Sequence, residues 1–141
     1  MIKVTCAIII NNSGILTAQR KSTSNHPLKW EFPGGKLNTN ETPEDCIFRE
    51  IREELDIEIE IKKPMISVVH FFGTQQIELI PFLCTVKSGE IKLIEHRNFL
   101  WVGFDDLHQF DFIGADRKLI QHPENKSILK KYFRENMHKT R

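Results

Sequence analysis

Apolar and polar residues along the first part of the chain are arranged in a way that predicts a β-hairpin. Isoleucine and valine dominate residues 2–10, which is typical of a buried strand, and the turn NNSG leads into a return strand from Ile15 to Arg20. The polar, proline-containing segment KSTSNHPLK is then expected to be a loop, and WEF a short extended segment. The sequence PGG ends this segment, because proline and paired glycines do not fit inside a helix.

A helix is predicted from Thr42 to about Leu55. Thr42 can act as the N-cap, and Pro43 suits the first helical position. A rotation of about 100° per residue gives this helix one apolar face, formed by Ile47, Phe48, Ile51 and Leu55. The adjoining arc carries three glutamates at spacings that bring them together: Glu50, Glu53 and Glu54. One face can therefore pack on a sheet while its border presents three carboxylates.

The segment after this helix is predicted to add three more strands. The alternating sequence IEIEI at 57–61 predicts one strand, and residues 64–72 and 75–86 predict a hairpin across the dipeptide GT. Pro81 in the second arm implies a bulge or an edge position, because proline cannot donate a hydrogen bond to the ladder.

The last third of the chain completes a sheet covered by helices. The stretch GEIKLIEHRNFLWVGF predicts one or two strands with a loop around 95–98, DDLHQF a short helical turn, and HPENKSILKKYFRENM a closing helix. Strands and helices mix without strict alternation, which favours a mixed β-sheet sandwiched between helices, in the α/β (α+β) class. We expect a single domain over residues 1–141, with a core over 1–135 and a frayed tail over 136–141.

Composition narrows the functional classes without choosing one. The chain has 141 residues, is 40% hydrophobic and 28% charged and carries a net charge of +1, so it gives no sign of binding a nucleic-acid polymer. Cys6, Cys46 and Cys84 form no disulfide or zinc pattern, which favours a reducing, cytoplasmic compartment. The first strand lacks a signal-peptide cleavage site and no apolar run has membrane-spanning length, so no membrane partner is expected.

The three helical carboxylates form an oxygen-rich site that suits Mg²⁺, for which Mn²⁺ can substitute, and not zinc. Mg²⁺ usually completes its shell with water and substrate phosphate, which an acidic border can accommodate. The preceding glycines allow the chain to turn back so that a backbone carbonyl joins the site. Lys36 and Arg49 can offset the acidic charge or contact phosphate oxygens. The alternative is a solvated helix face on which REIREE forms ion pairs.

The residues around this cluster resemble the Nudix box. In that pattern a glycine, a glutamate and the sequence R-E-U-x-E-E-x-G-U follow at fixed spacings, where U is a bulky aliphatic residue. Gly35, Glu41 and the stretch REIREELDI, which begins at Arg49, match every specified position except one. Asp56 stands where the family has glycine, and aspartate tolerates the left-handed turn that this position requires. The longer stretch from WEFPGGK to REIREEL is similar to the MutT-type nucleoside triphosphate pyrophosphohydrolases.

The resemblance implies an α/β/α sandwich and a metal-dependent hydrolase. By similarity, the metal ligands are Glu50, Glu53, Glu54 and the backbone carbonyl of Gly34. Arg49 would orient this cluster and Glu41 would support it. Lys36, which directly follows the glycine turn, would contact phosphate oxygens. Members of the group cleave a nucleoside triphosphate to the monophosphate and pyrophosphate when water attacks the β-phosphorus, and bound cations lower the pKa of that water. The base would be Glu95, in the loop of EHRNFLW, or alternatively Glu53 or Glu54.

The resemblance also suggests residues that would bind the nucleotide. Arg20 lies where the family has an arginine near the nucleotide, and a surface charge at a strand end is the alternative. Asp116 falls where members selective for oxidised guanine have asparagine, and a helix-cap role is the alternative. An ionised aspartate would suit the amino group of cytosine, whereas a protonated one could serve an oxidised purine. Three aromatic residues are candidates to stack on the base, with a place in the core as the alternative: Phe32, Phe72 and Phe112.

The expected function is therefore hydrolysis of a nucleoside triphosphate, in the role of removing oxidised dGTP (8-oxo-dGTP) from the nucleotide pool. The rivals are an enzyme directed at CTP or dCTP, and a non-catalytic Nudix module that senses a nucleotide. Such modules typically lack parts of the glutamate cluster, which is complete here. His96 is the one histidine beside a candidate site residue, and a passive role is expected of it. The protein is expected to act as a monomer or a homodimer.

Overall fold

The strands and helices follow from a computed structural model that describes residues 1–136. Of the tail predicted over 136–141, Asn136 is the last residue of the final helix, and 137–141 lie outside the described residues. The strands are β1 (Ile2–Asn11), β2 (Gly14–Gln19), β3 (Trp30–Glu31), β4 (Gly34–Lys36), β5 (Glu58–Pro64), β6 (Val68–Phe72), β7 (Gln75–Ser88) and β8 (Asn98–Val102). The helices are α1 (Pro43–Leu55), α2 (Gly114–Gln121) and α3 (Pro123–Asn136), and a 3₁₀ helix covers Phe104–Gln109.

One mixed sheet joins these strands. Its main path runs β3-β2-β1-β7-β5, while β4 pairs with β1, β6 with β7 and β8 with β2. The central strands β1 and β7 are parallel from the pair Ile2–Ile77 to the pair Ile9–Cys84. The other strand pairs run antiparallel, so the mixed sheet expected from the sequence is confirmed.

β7 departs most from its prediction. The expected hairpin is present, but its first arm is only β6, because the residues up to Pro64 belong to β5 and pair with the far half of β7. Pro81 does not lie on a sheet edge, since β1 pairs with β7 along its other side. Pairing with β6 ends at Leu79 and pairing with β5 starts at Phe82. The Pro81 carbonyl accepts a hydrogen bond from the Met65 N–H in this gap. Proline has no N–H to donate, and in this gap neither β5 nor β6 is paired with β7, so no ladder hydrogen bond is lost.

Side chains that alternate along β1 supply apolar clusters on both faces of the sheet. Cys6, Ile8 and Ile10 belong to one cluster, and Ala7 and Ile9 belong to the other. The covering helices contribute Leu119 and Leu129 to the first cluster and Ile47, Ile51 and Leu55 to the second. Burial on both faces explains why this strand is a continuous apolar run, and it gives the α/β/α sandwich that the resemblance implied.

α1 begins and ends where the sequence predicts. The Thr42 hydroxyl accepts a hydrogen bond from the Asp45 N–H at 3.1 Å. At the other end Asp56 adopts the left-handed conformation, with φ 56° and ψ 38°, and its N–H donates to the Arg52 carbonyl. The aspartate therefore makes the turn for which the family pattern specifies glycine.

α2 is the helix that the hydrophobic pattern did not predict. It has only eight residues and begins with Gly114, so its periodic signal is weak. The closing helix α3 is confirmed, and it buries Leu129 and Asn125. The Asn125 side chain accepts from the N–H of Ile66 and donates to its carbonyl, which ties α3 to the segment before β6. Within residues 1–136, no helix combines the length and the apolar character needed to cross a bilayer.

Candidate active site

Two cavities meet where β3 and β4 adjoin α1. The first, called the acidic cavity here, has a volume of about 350 Å³ and is lined by Arg20, Lys21, Thr23, Ser24, Glu31, Gly34, Glu50, Glu54, Glu95 and His96. The second, called the mixed cavity, has a volume of about 470 Å³, and its lining includes Lys36, Phe72, Leu79, Ile113, Ala115 and Asp116. Arg20, Glu31 and Gly34 line both cavities, which therefore adjoin each other.

Arg49 fixes the glutamates of the predicted motif relative to one another. Its Nε and Nη2 donate to the two carboxylate oxygens of Glu41 at 2.7 and 2.9 Å. Its Nη1 donates to Glu50 at 2.8 Å and lies 3.3 Å from Glu53, one turn further along α1. Its Nη2 also donates to the Lys36 carbonyl at 3.2 Å. One planar guanidinium thus ties α1 to β4 and to the loop before the helix.

Glu41 holds the Arg49 guanidinium through two hydrogen bonds. Its pKa falls from 4.5 to about 2, chiefly because Arg49 donates to its carboxylate and also because the Asn38 N–H does so. Glu41 therefore carries a full negative charge at neutral pH and holds Arg49 in position.

Glu54 experiences the opposite electrostatic environment. Its side chain is only 5% exposed. Burial raises its pKa well above the usual carboxyl range, and so do its hydrogen bond with Glu50 and the charges of Glu31, Glu50 and Glu95. Carboxylates crowded in this way cannot all be ionised without a compensating positive charge.

A hard divalent cation fits this donor set. Glu50, Glu54 and Gly34 line the same cavity, and Glu31 adds a further carboxylate to it. Glu31 and Glu54 each place a carboxylate oxygen within 4.8 Å of the other, and His96 lies beside them. Several carboxylate oxygens beside room for water and phosphate are the surroundings that Mg²⁺ or Mn²⁺ prefers. A cation here would also relieve the repulsion that raises the pKa of Glu54.

Glu53 lies apart from the other predicted ligands. Its side chain is 56% exposed, and its ion pair is with Arg49 at 3.3 Å. It is absent from the lining of the acidic cavity, although it lies on the same border of α1 as Glu50 and Glu54. Its role as a ligand therefore stays a prediction.

Gly34 and Gly35 are required for two different reasons. A Cβ at Gly34 would lie 2.0 Å from the carbonyl oxygen of Thr5, so a side chain would separate β4 from β1. A Cβ at Gly35 would lie 2.4 Å from the carboxyl group of Glu50. The first glycine permits backbone packing, and the second leaves room for a carboxylate.

Two residues of the acidic cavity make contacts there that the sequence did not indicate. Glu31 was not predicted as a site residue, and a passive role was expected of His96. His96 Nε2 lies 2.8 Å from Glu31 Oε2 and 3.7 Å from Glu54 Oε1, and Arg20 Nη1 donates to Glu31 Oε1 at 3.1 Å. The available signal for Glu31 was a charged residue within the apolar segment WEF, directly before the glycine turn.

Arg20, Lys36 and the predicted general base Glu95 also line these cavities. Arg20 lines both of them, and its Nη2 donates to Asn25 Oδ1 at 2.7 Å. Lys36 is exposed on the wall of the mixed cavity, and Glu95 is exposed on the wall of the acidic cavity. Arg20 and Glu95 thus line the cavity that contains Glu50 and Glu54, and Lys36 lines the adjoining cavity.

Asp116 occupies a buried position in the mixed cavity. Its carboxylate accepts a hydrogen bond from the Phe32 N–H at 2.7 Å, whereas the N-cap residue of α2 is Ile113, which makes no side-chain cap bond. Burial raises the pKa of Asp116 well above its usual range, and the charge of Glu31 adds to this. The group thus bridges α2 and β3 instead of capping its own helix.

The three candidate stacking residues have different surroundings. Phe72 is half-buried and lines the mixed cavity, and its ring lies 5.1 Å from that of His26. Phe32 and Phe112 are 3% and 2% exposed, and they pack on each other in the core with ring centroids 5.1 Å apart. Neither lines the acidic or the mixed cavity, so the structure does not bring them to the site.

The family assignment agrees with this geometry. The NUDIX domain model matches residues 1–123, and the chain therefore belongs to the Nudix family. Its relatives place it among the MutT-like Nudix hydrolases.

Three relatives illustrate this similarity. The CTP pyrophosphohydrolase of Escherichia coli (strain K12) is 31% identical over 121 residues, which are 86% of this chain and 90% of the relative. The 8-oxo-dGTP diphosphatase of Proteus vulgaris is 39% identical over 80 residues, which are 57% of this chain and 71% of the relative. The solution structure of MutT from methicillin-resistant Staphylococcus aureus 252 has a TM-score of 0.69 at 34% identity, covering 85% of this chain and 92% of that one.

Proposed function

We propose that the protein hydrolyses a nucleoside triphosphate to the monophosphate and pyrophosphate with a divalent cation, Mg²⁺ or Mn²⁺. We further propose that its preferred substrate is an oxidised purine nucleotide of the 8-oxo-dGTP kind. The observation that carries the reaction is the convergence of Glu31, Glu50, Glu54 and Glu95 on one cavity beside Arg20. Relatives named 8-oxo-dGTP diphosphatase and CTP pyrophosphohydrolase support the same reaction class.

The carboxylates of α1 would hold the cation. Glu50 and Glu54 would be its side-chain ligands in the acidic cavity, the Gly34 carbonyl would join them, and Glu53 would bind it from the same border of the helix. When bound, the cation polarises phosphoryl oxygens and lowers the pKa of the attacking water. Arg49 keeps the carboxylates in place before the substrate arrives, which removes part of the cost of organising the site.

Glu95 is the proposed general base. It lies exposed at the acidic cavity, where it can take a proton from water, with Glu53 and Glu54 as the alternatives. The water oxygen bonds to the β-phosphorus, and the bond from that phosphorus to the oxygen that bridges the α- and β-phosphorus atoms breaks. The monophosphate leaves with this bridging oxygen, and the β- and γ-phosphates leave as pyrophosphate. Arg20 lines both cavities and Lys36 lines the mixed cavity, and both supply positive charge to the phosphates.

The proposed preference for an oxidised nucleobase rests on Asp116. Because its pKa is raised well above the usual range, the carboxyl group keeps its proton closer to neutral pH and can then donate as well as accept. Oxidised guanine presents an acceptor at O6 and a donor at N7–H, and a protonated carboxyl group can match both. Phe72 lines the same cavity and provides a face for stacking.

A cytosine nucleotide is the second candidate substrate. It is favoured by the 31% identity to the CTP pyrophosphohydrolase, which extends over 86% of this chain. An ionised Asp116 would accept a hydrogen bond from the exocyclic amino group of cytosine. The protonation state of this one carboxyl group therefore separates the two candidates.

A panel of nucleotides tests both parts of the proposal. With Mg²⁺ present, kcat/KM is measured for 8-oxo-dGTP, dGTP, CTP, dCTP and 5-methyl-dCTP, and the products are identified. We expect pyrophosphate release that stops when the cation is chelated, and we expect 8-oxo-dGTP to rank first. If CTP or dCTP ranks first, the base assignment is wrong and the reaction stands. Binding of a nucleotide without turnover would instead indicate a sensing module and would overturn the proposed reaction.

A further inference from the structure

We propose that His96 is a positioning residue, which fastens the segment 89–97 to Glu31 and so holds Glu95 at the acidic cavity. The proposal rests on the proposed function in one respect, namely that Glu95 acts in the reaction. The attachment of the segment itself does not depend on that function.

The segment 89–97 connects β7 to β8 and contains neither helix nor strand. Its backbone is nevertheless attached at three places. The bonds run from the Lys92 N–H to the Leu55 carbonyl at 2.9 Å, from the Ile94 N–H to the Glu54 carbonyl at 3.1 Å, and from the Arg97 N–H to the Gln19 carbonyl at 2.9 Å. Glu95 therefore lies between an attachment to the end of α1 and an attachment to the end of β2.

His96 adds a side-chain attachment within this short span. Its side chain is 5% exposed, while the preceding Glu95 is exposed. His96 Nε2 lies 2.8 Å from Glu31 Oε2, and the nearest oxygen of Glu54 is at 3.7 Å, beyond hydrogen-bond distance. The segment thus buries the His96 side chain in the wall of the acidic cavity and presents the exposed Glu95 side chain to it.

The second nitrogen of His96 indicates which form of the ring is present. Nδ1 is buried and has no hydrogen-bond partner among residues 1–136. A proton on Nδ1 would be a buried donor without an acceptor, which is costly, so we assign the proton to Nε2, from which the ring donates to Glu31. In this form Nε2 has no free lone pair, and His96 serves Glu31 as a donor and not the cation as a ligand.

Glu31 is a fixed acceptor for this bond. Arg20 donates to its other oxygen at 3.1 Å, so the carboxylate is held from two sides. Without the imidazole, Glu31 would keep Arg20, but the segment would lose its side-chain attachment next to Glu95. A base that is less well held lowers the rate of the chemical step more than it lowers substrate binding.

Three variants at this position test the proposal kinetically. His96→Ala removes the donor, His96→Gln restores an N–H at a reach similar to Nε2, and His96→Asn is too short to do so. We expect His96→Ala to lower kcat about tenfold to hundredfold with a change in KM below about threefold. His96→Gln should recover most of the rate and His96→Asn should not. The exposed His108 on the 3₁₀ helix is the matched control, and His108→Ala should leave kcat unchanged.

The double variant with Glu95→Gln asks whether His96 acts through Glu95. If it does, adding His96→Ala to Glu95→Gln lowers kcat no further than Glu95→Gln alone. Fully multiplicative losses would overturn the positioning role, and so would equal rates for the Gln and Asn variants.

Amide hydrogen exchange tests the attachment without reference to catalysis. We expect His96→Ala to accelerate exchange at Ile94 and Arg97, while Ile8 in the central strand β1 keeps its rate. Unchanged exchange at both loop amides would overturn the attachment. If the wild-type protein hydrolyses none of the nucleotides, the proposed function fails, and this exchange experiment still decides whether His96 holds the segment.

Discussion

The acidic cavity and the mixed cavity share Arg20, Glu31 and Gly34 but are assembled in different ways. The acidic cavity takes two of its carboxylates from one turn of α1, where neighbours in sequence are also neighbours in space. The mixed cavity takes Phe72 from β6 and Asp116 from α2, which only the complete fold brings together. The proposed cation site is thus specified by local spacing, whereas the proposed site for the nucleobase depends on long-range packing.

Each cavity also contains one buried carboxyl group with a raised pKa. For Glu54 the causes are burial and the crowding of Glu50, Glu31 and Glu95, which a cation would relieve. For Asp116 the causes are burial and Glu31, and the Phe32 N–H opposes them. We expect the first group to act ionised beside a metal and the second to act as a neutral partner for a base.

The largest effect is expected from neutralising the carboxylates of α1. Glu54→Gln should lower kcat by about a thousandfold or more, because a cation ligand is lost without any change in side-chain size. Glu53→Gln should also lower kcat strongly, and its exposed position predicts little change in stability. Steady-state kinetics with Mg²⁺ measure both. If both variants kept full activity, the site assignment would be wrong.

The same Glu54→Gln change should make the cation-free protein more stable above the usual carboxyl range. Because the folded-state pKa of Glu54 is raised, its contribution is fully present below its unfolded-state pKa and is lost as pH rises through the folded-state pKa. Glutamine removes that loss, so Tm at pH 8 in chelator should rise by about 3 °C for each kcal/mol recovered. A lower Tm for the variant under these conditions would contradict the crowding of the carboxylates.

A second comparison concerns the adjacent glycines. Gly35→Ala should lower kcat about a hundredfold, since its Cβ displaces the Glu50 carboxyl group, and should affect stability much less because that group is the end of a flexible side chain. Gly34→Ala should instead destabilise the fold by about 3 kcal/mol or more, because its Cβ would meet the backbone of Thr5. Denaturant unfolding and kcat, measured on both variants, separate the two effects. The same stability loss for both would refute the distinction.

In the mixed cavity, Asp116→Asn should shift base preference toward oxidised guanine by about tenfold in the ratio of kcat/KM for 8-oxo-dGTP over dCTP. The wild-type ratio should fall as pH rises through the raised pKa of Asp116, since the carboxyl group then loses its donor. The variant ratio should not depend on pH in that window. An unchanged ranking across the nucleotide panel would reject a role for Asp116 in base choice.

The smallest effect is expected at Glu41, which supports the acidic cavity from outside. Glu41→Gln should lower kcat by about threefold to fivefold, because Arg49 is then held less firmly. The depressed pKa of Glu41 means that its ionised form stabilises the fold above pH 4.5, and this stability is lost as pH falls from 4.5 to about 2. The variant should therefore unfold with a shallower pH dependence in that window. An identical acid-unfolding profile would show that the Arg49 pair is not maintained in solution.

Much of the fold could be predicted, because its signals are local. The ends of α1 follow from Thr42, Pro43 and the left-handed turn at Asp56, each of which acts over a few residues. The continuous apolar run of β1 indicated a buried strand, as the structure confirms. α2 could not be predicted, because eight residues give little periodicity. The interior place of Pro81 depends on where β5 and β6 exchange on β7, which no local pattern records.

The residues of the candidate site also differ in whether a local sequence signal predicts them. The carboxylates Glu50, Glu53 and Glu54 were predicted from their spacing on a helix. Glu31 could not be predicted, because it reaches the site only through the packing of β3 against the loop that carries His96. Phe32 and Phe112 shared the aromatic character of Phe72, and only tertiary packing placed them in the core. A residue type supplies the chemistry for a role, and burial decides whether the residue can perform it.

A crystal grown with Mn²⁺ and a non-hydrolysable nucleoside triphosphate analogue, examined by anomalous diffraction, would show directly whether the carboxylates of α1 bind a cation. We expect a manganese peak at coordination distance from carboxylate oxygens of Glu50 and Glu54, with analogue phosphate completing its shell. An analogue bound in the mixed cavity with no anomalous peak beside Glu50 and Glu54 would contradict this expectation.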